Sequence, residues 1–114
     1  MPGKEKMTLQ GLVWNCRGLR KNGVSTFLKN LILEYQFHFV GLQETMIQDC
    51  EDKLLRKFDP NKDYIWMWNP SRGKLGGILV GVKLELYDVG SFRQGDYMLQ
   101  LNLWDKKIKL NGIY

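Results

Sequence analysis

The segment from residue 9 to residue 45 constrains the fold of this chain more than any other. Residues 9–15 form an apolar run typical of a strand. The next apolar residues recur at the spacing of a helix with one buried face, and Asn22 is expected to cap that helix (Val24, Phe27, Leu28, Leu31, Ile32 and Tyr35). Residues 37–45 predict a strand buried on both faces, with Phe37 and Phe39 on one and Val40 and Leu42 on the other. Together they predict a right-handed βαβ unit with parallel strands.

A second helix and several short strands are predicted after this unit. Residues 49–58 predict a helix with Cys50, Leu54 and Phe58 on its buried stripe, and its terminal charges complement the helix dipole. Strands are expected at 64–68, 77–82, 84–89, 98–104 and 107–114, between turn-rich breaks. We therefore predict a mixed α/β fold that continues from the parallel unit into an antiparallel meander, with residues 1–8 as a disordered lead-in.

Composition limits the size and the partners of this fold. The chain has 114 residues, which is enough for one domain. With 44% hydrophobic and 25% charged residues it can form a packed core. The net charge of +5 favours polyanionic partners such as nucleic acid, but the Lys and Arg residues are scattered, so an ordinary basic protein is an equal alternative.

The cysteines and the apolar runs bear on the compartment. Cys16 and Cys50 are too far apart in sequence for a CxxC redox or zinc pair, so a reducing environment is expected. The first ten residues lack the apolar core of a signal peptide, and no run reaches the length of a membrane span. We therefore expect an intracellular protein without a membrane partner or an obligate small-molecule ligand, and its oligomeric state stays open.

Polar side chains stand where both strands of the βαβ unit end. Asn15 ends the first strand, and Glu44 ends the second. The carboxyl ends of parallel strands lie at one edge of a sheet, where ligands bind in open α/β folds. Amide and carboxylate oxygens suit Mg²⁺, which keeps several waters and takes few protein ligands. The alternative from spacing alone is that both residues cap turns or face solvent.

The segments VWNCRGL and FVGLQET, with a Trp-rich strand and GKLGGILVGV after them, resemble the endonuclease/exonuclease/phosphatase superfamily. The chain is most similar to the amino-terminal endonuclease domain of plant LINE-type (non-LTR) retrotransposons. This resemblance spans residues 9–114. It implies the amino-terminal half of a four-layer α/β/β/α sandwich and a phosphodiesterase that uses Mg²⁺ or Mn²⁺ on DNA. A nuclear location is compatible with this family.

The resemblance also implies roles for three residues. Asn15 would help to hold the catalytic centre and the phosphate, Glu44 would be a direct metal ligand, and the Tyr114 hydroxyl would reach the phosphate or the nucleophile. Two positions depart from the family pattern. Arg17 stands where DNA-repair relatives carry an acidic or amide residue, and Met46 stands where a lysine often follows the glutamate and threonine. The metal environment is therefore open, and one phosphate contact is missing.

Family members continue beyond the tyrosine with an Asp-x-Asn segment, a later aspartate and a Ser-Asp-His segment, and none of these follows Tyr114 in the 114 residues. We therefore expect a truncated, inactive or weakly active phosphodiesterase of retrotransposon origin. An exposed apolar sheet face and strand edge would make it marginally stable, prone to aggregation or dependent on a partner. Two alternatives remain. One is a non-catalytic remnant that binds nucleic acid or another partner, and the other is a superfamily member that acts on a different phosphoester.

Several other residues have two interpretations each. Arg72 and Lys74 either contact a DNA backbone or are solvated turn charges. Cys16 is expected to be a packing residue rather than a nucleophile, because no base adjoins it in sequence. His38 is expected to be a strand residue rather than a catalytic histidine. Alternation within strands favours core packing over base stacking for three tryptophans (Trp66, Trp68 and Trp104).

Overall fold

The computed structural model describes residues 9–70, 76–94 and 99–105. Two helices and six strands occur in these ranges, in the order β1 (Gly11–Asn15), α1 (Val24–Tyr35), β2 (Phe39–Gln43), α2 (Asp52–Phe58), β3 (Tyr64–Asn69), β4 (Ile78–Lys83), β5 (Tyr87–Gln94) and β6 (Leu99–Asp105). The predicted lead-in at 1–8 and the predicted strand at 107–114 lie outside the described residues. Within those ranges, neither helix has the length and the apolar composition that crossing a membrane requires.

The main sheet is mixed and has the strand order β1-β2-β4-β3. Strands β1 and β2 are parallel, which confirms the predicted βαβ unit, and β4 runs antiparallel to both of its neighbours. The predicted single meander is wrong, because β5 and β6 pair with each other in a separate two-stranded sheet. The predicted strand at 84–89 is also wrong in its first half. The Leu86 amide donates to the Lys83 carbonyl at 3.1 Å, so the chain turns there and β5 begins at Tyr87.

Both helices pack on one face of the main sheet, and the core lies between the helices and this face. Leu28 of α1 and Phe58 of α2 are fully buried together with Val40 and Leu42 of β2. Cross-strand register places the side chains of Leu42 and Leu79 on this same face. The prediction that β2 is buried on both faces is confirmed for this face only, because Phe39, on the opposite face, is half-buried. Phe37 is buried but precedes the strand.

The two helices begin later than their sequence patterns predict. Asn22 does not cap α1, since the N-cap position is Gly23, which has φ 86° and makes no side-chain capping hydrogen bond. Helix α2 begins at Asp52 instead of residue 49, because Glu51 is extended and its carbonyl accepts the first helical hydrogen bonds. The buried stripe of this segment is nevertheless confirmed, as Cys50 is buried just before the helix.

A buried carboxylate connects α2 to β3. Asp59 follows the last residue of α2 and is 4% exposed. One of its carboxylate oxygens accepts the Asp63 amide at 2.9 Å, and the other accepts the Tyr64 amide at 3.2 Å and the Trp66 indole N–H at 2.9 Å. Because a buried charge is costly unless it is hydrogen-bonded, these three donors explain how a lone carboxylate is accommodated here.

The tryptophans of β3 pack in the core, as predicted. The ring of Trp66 contacts Phe58 edge-on, with ring centroids 5.1 Å apart, and Trp68 also packs against the core cluster. Trp66 lies across β4, where a Cβ atom at Gly81 would fall 2.6 Å from its ring. Glycine is therefore required at position 81 for the ring to lie flat on the sheet. The side chain of Trp104 lies outside the described residues.

The sheet face opposite the helices is exposed at one end. Val13 of the edge strand β1 is 69% exposed on this face, whereas Met67 of β3 and Val82 of β4 are buried. The expected exposure of an apolar face is therefore found at Val13, and not at Met67 or Val82. Among the described residues, β1 has a strand neighbour on one side only.

Candidate functional site

The turns after β1 and β2 are joined by backbone hydrogen bonds. Asn15 is the register partner of Gln43, so the two strands end side by side. Pairing continues beyond the strands: the Cys16 amide donates to the Gln43 carbonyl at 3.1 Å, and the Gly18 amide donates to the Glu44 carbonyl at 2.8 Å. Asn15 and Glu44 therefore stand at the ends of adjacent strands on turns that are held together.

A third segment closes this edge of the sheet. The Thr45 amide donates to the Gly77 carbonyl, and the Met46 amide donates to the Gly76 carbonyl, both at 3.0 Å. Gly76 and Gly77, which precede β4, have φ values of 83° and 92°, a backbone region that favours glycine. The backbone around Glu44 is thus bonded to β1 on one side and to the β4 approach on the other.

Three residues with side chains adopt the left-handed conformation in these turns. The φ angles are 53° at Arg17, 50° at Glu44 and 61° at Met46. A non-glycine residue in this region costs about 1–2 kcal/mol, and such residues cluster at functional sites. The strain is sustained by the backbone hydrogen bonds on both sides of Glu44, and it fixes the direction in which its side chain leaves the chain.

The two predicted metal ligands provide oxygen atoms at this edge. Asn15 is exposed and Glu44 is half-buried. Within residues 9–70, 76–94 and 99–105, no group of three or more His, Cys, Asp or Glu side chains is placed to hold a metal ion. One carboxylate and one amide oxygen fit Mg²⁺, which binds through one or two carboxylates and completes its shell with water and substrate phosphate. They do not fit a closed structural metal site.

Cys16 is part of the hydrophobic core and is not exposed at the strand ends. Its side chain is 6% exposed, and its Sγ lies 3.4 Å from the Gln43 carbonyl oxygen. Burial raises the pKa of the Cys16 thiol, and the nearby Glu44 carboxylate raises it further. A protonated, buried thiol is a poor nucleophile, which agrees with the predicted packing role.

A basic cavity adjoins the same turns. It has a volume of about 390 Å³, and three of its lining residues are cationic, namely Arg17, Arg20 and Lys21. The other lining residues are Gly18, Thr45 and Met46. Arg20 and Lys21 were not predicted as site residues. The available signal was three cations within residues 17–21, directly after a strand that ends at a predicted site.

The remaining predicted site residues are elsewhere. His38 immediately precedes β2, at the opposite end from Glu44, so the prediction that it lies within the strand is wrong by one position. Its Nδ1 accepts the Gln10 amide at 2.9 Å. This bond ties His38 to the residue before β1, away from the strand ends that carry Asn15 and Glu44. Tyr114, Arg72 and Lys74 lie outside the described residues.

The described fold is similar to part of a solved AP endonuclease. The neighbour is the AP endonuclease LMAP from Leishmania major, matched with a TM-score of 0.51 and 21% sequence identity. The match covers 66% of this chain and 24% of the neighbour's chain. No protein-family model and no curated protein matches the sequence. The likeness therefore shows a fold: a small α/β arrangement with a mixed sheet and two helices among its described residues, similar to a quarter of a nuclease.

Proposed function

We propose that this chain is part of a Mg²⁺- or Mn²⁺-dependent phosphodiesterase of the endonuclease/exonuclease/phosphatase superfamily, with DNA as substrate and a plant LINE-type retrotransposon as its origin. The observation that carries the proposal is the parallel pairing of β1 and β2. This pairing brings the ends of the VWNCRGL and LQET segments to one edge of the sheet. The four-layer sandwich of the complete superfamily fold belongs to this proposal.

The proposed chemistry uses the oxygen donors at this edge. A bound divalent ion would polarise a phosphoryl oxygen and neutralise charge on the leaving group. The Glu44 carboxylate would hold that ion, with the Asn15 amide oxygen as its second protein ligand. The Asn15 N–H₂ group can also donate to a phosphate oxygen, and a phenol at Tyr114 would donate to the charge that grows on the phosphate.

The left-handed backbone at Glu44 supports this assignment. A glycine at φ 50° would be free of the steric cost that the glutamate carries. The hydrogen bonds from Gly18 to the Glu44 carbonyl and from Thr45 to Gly77 hold the strained residue in place. A carboxylate kept under strain at the end of a buried strand is the arrangement expected of a functional group.

We expect little or no cleavage by this chain alone. In the proposed superfamily, the Asp-x-Asn and Ser-Asp-His segments that orient the water and complete the site come after the tyrosine, and neither follows Tyr114 in these 114 residues. Asn15 and Glu44 would bind the metal and the phosphate, but the general acid–base groups would be missing. Because such groups contribute about 10²- to 10⁴-fold to a rate, their loss leaves only slow turnover.

The test uses two readouts, one of which is independent of activity. Mn²⁺ is added to the ¹⁵N-labelled chain, and the broadening of amide signals is mapped. We expect broadening centred on the amides of residues 15–16 and 43–45. It should be lost in Glu44→Gln and retained in Glu34→Gln, the matched control, whose glutamate is exposed on α1.

The second readout is nicking of supercoiled plasmid DNA in Mg²⁺ and in EDTA. Slow, Mg²⁺-dependent nicking that disappears in Glu44→Gln but not in Glu34→Gln supports the proposed site. Rapid nicking that depends on Glu44 would contradict the expected inactivity and still support the site. The proposal is refuted if Mn²⁺ broadens signals elsewhere. It is also refuted if neither the Glu44→Gln substitution nor the replacement of Mg²⁺ by EDTA changes the rate of nicking.

A second function, nucleic-acid binding without cleavage, is favoured by one observation, the basic cavity beside the strand ends. A non-catalytic remnant would bind DNA through charge alone, so its affinity would fall steeply with salt. Salt-sensitive DNA binding that Glu44→Gln leaves unchanged, together with an absence of nicking and of localised Mn²⁺ broadening, would establish this alternative.

A further inference from the structure

The edge strand β1 presents backbone hydrogen-bonding groups on the side away from β2. The carbonyl of Gln10 and the amide of Cys16 both bond to the segment that contains β2, at 2.7 and 3.1 Å. Because backbone groups alternate in direction along a strand, those of Gly11, Val13 and Asn15 point away from β2. Among the described residues, β2 is the only strand neighbour of β1. The strand therefore offers a row of donors and acceptors to a further strand.

Exposed apolar side chains flank this row on both faces of the sheet. Val13 lies on the face opposite the helices, and Leu9 precedes the strand. On the helix face, the ring of Phe27 contacts that of Trp14 edge-on, with centroids 5.4 Å apart, and Tyr35 lies two turns farther along the same stripe of α1. The β1 edge surface is defined as the outer edge of Gly11–Asn15 with four side chains that are 45% to 69% exposed (Leu9, Val13, Phe27 and Tyr35).

A two-fold axis at this edge fits the spacing of strands and helices. An axis perpendicular to the sheet at Val13 makes a second β1 antiparallel to the first and pairs Leu12 with Trp14 of the second copy. Helix α1 packs above the β1–β2 pair. Since paired strands lie about 4.8 Å apart, the two α1 axes would lie about 10 Å apart, a distance at which helices pack. One axis therefore joins the two sheets and brings Phe27 of both copies into the contact.

The apolar area of the β1 edge surface meets the requirement of a stable pair. The exposed parts of its four side chains amount to about 400 Å² per copy and about 800 Å² for two copies. Interfaces are about 60% apolar, so the total area removed from water would be about 1,300 Å². Specific, stable interfaces bury about 1,200–2,000 Å². A second copy of this chain is therefore a sufficient occupant of the surface.

We propose that the β1 edge surface is the contact between two copies of this chain, which form an isologous dimer through antiparallel β1 strands. The row of donors and acceptors is self-complementary, because Gly11 of one copy meets Asn15 of the other and Val13 meets its own copy. Charge favours no polyanion here, since β1 and α1 together carry one cation, Lys29, and one anion, Glu34. The dimer uses neither the Glu44 side chain nor a metal ion, so it is independent of the proposed function.

The experiment is sedimentation equilibrium of the full chain from micromolar to millimolar concentration. We expect a monomer–dimer equilibrium that approaches twice the chain mass. Val13→Lys should raise the dissociation constant about a hundredfold, because two like charges would meet about 5 Å apart at the axis. The matched control is Leu33→Lys, which places the same charge on an exposed apolar residue of α1 about 120° around the helix from Phe27. It should leave the dissociation constant unchanged.

A second variant tests strand pairing separately from apolar contact. The Val13 amide points away from β2, so Val13→Pro removes a donor to the second copy and keeps the bonds within the chain. It should weaken the dimer at least as much as Val13→Lys. In the wild type, hydrogen exchange at the amides of Gly11, Val13 and Asn15 should slow as the concentration rises.

The result does not depend on one variant. If Val13→Pro fails to fold by circular dichroism, Val13→Lys and the exchange rates carry the test. A chain that is monomeric at every concentration would overturn the proposal. So would association that Leu33→Lys weakens as much as Val13→Lys, or exchange at the three amides that does not change with concentration.

Discussion

Replacing the buried carboxylate of Asp59 is expected to destabilise the fold strongly. In Asp59→Ala, the amides of Asp63 and Tyr64 and the indole N–H of Trp66 all lose their acceptor. The Tyr64 amide is buried, so water cannot replace the carboxylate there, whereas the other two donors are partly accessible. A buried donor without a partner costs about 1–3 kcal/mol. For three donors of unequal burial we expect a loss of about 3–5 kcal/mol in the free energy of unfolding.

That loss is a large part of the stability of a small domain, which is about 5–15 kcal/mol. The assay is urea unfolding of the full chain, followed by tryptophan fluorescence because Trp66 takes part in the network. Asp59→Asn should lie between the wild type and Asp59→Ala, since it keeps one acceptor oxygen. The matched control is Asp52→Ala, which removes a 73% exposed carboxylate from its ion pair with Arg56. It should cost below about 1 kcal/mol.

The comparison of these variants tests whether the three hydrogen bonds to Asp59 stabilise the fold. If Asp59→Ala loses no more stability than Asp52→Ala, the three hydrogen bonds do not stabilise the fold. If Asp59→Asn and Asp59→Ala are equally unstable, the charge of Asp59, and not its count of acceptor oxygens, is what the neighbouring donors require.

Three further changes have expected outcomes in the same unfolding assay. Gly81→Ala should cost about 2 kcal/mol, because its Cβ would fall 2.6 Å from the Trp66 ring; an unchanged stability would refute that contact. Thr45→Val should raise the free energy of unfolding by about 1 kcal/mol, since it removes an unpartnered buried hydroxyl; a loss would mean that the hydroxyl has a partner. Burial and the Asp59 charge raise the pKa of Tyr64 from 10.0 to about 12, so its stabilising contribution should be complete below pH 10 and fall as pH rises to 12. Tyr64→Phe should abolish that fall, and a fall that persists would assign it to another group.

The sequence was sufficient to predict the parallel unit, because its pattern reflects strong local physics. The helix stripe and the apolar β2 segment are set by burial against one common core, which side-chain periodicity records directly. The edge position of Asn15 and Glu44 followed from topology alone. The sequence could not show where strands end when turn and strand patterns look alike. Leu84 and Leu86 alternate as a strand would, yet the hydrogen bond from Leu86 to Lys83 makes a turn.

The features that sequence reasoning missed all depend on contacts between distant segments. The place of β4 between β2 and β3 depends on pairing over long sequence separations, which no local pattern records. The basic cavity requires the backbone bond between Leu19 and Thr45, which lie in different turns. The strain at Glu44 was equally invisible, because glutamate has no sequence preference that would announce a positive φ.

The left-handed conformation of Glu44 has a consequence for the evolution of this chain. Selection for thermal stability alone would favour glycine at position 44, because glycine removes about 1–2 kcal/mol of steric cost there. Met46 has the same conformation, belongs to the same turn and lacks the proposed metal-binding role, so it provides an internal comparison. A library that is sorted only for folding should enrich glycine at both positions. A library that is also sorted for metal binding should keep glutamate at position 44 and still enrich glycine at position 46. This difference would distinguish a strained residue that is retained for function from one that is not.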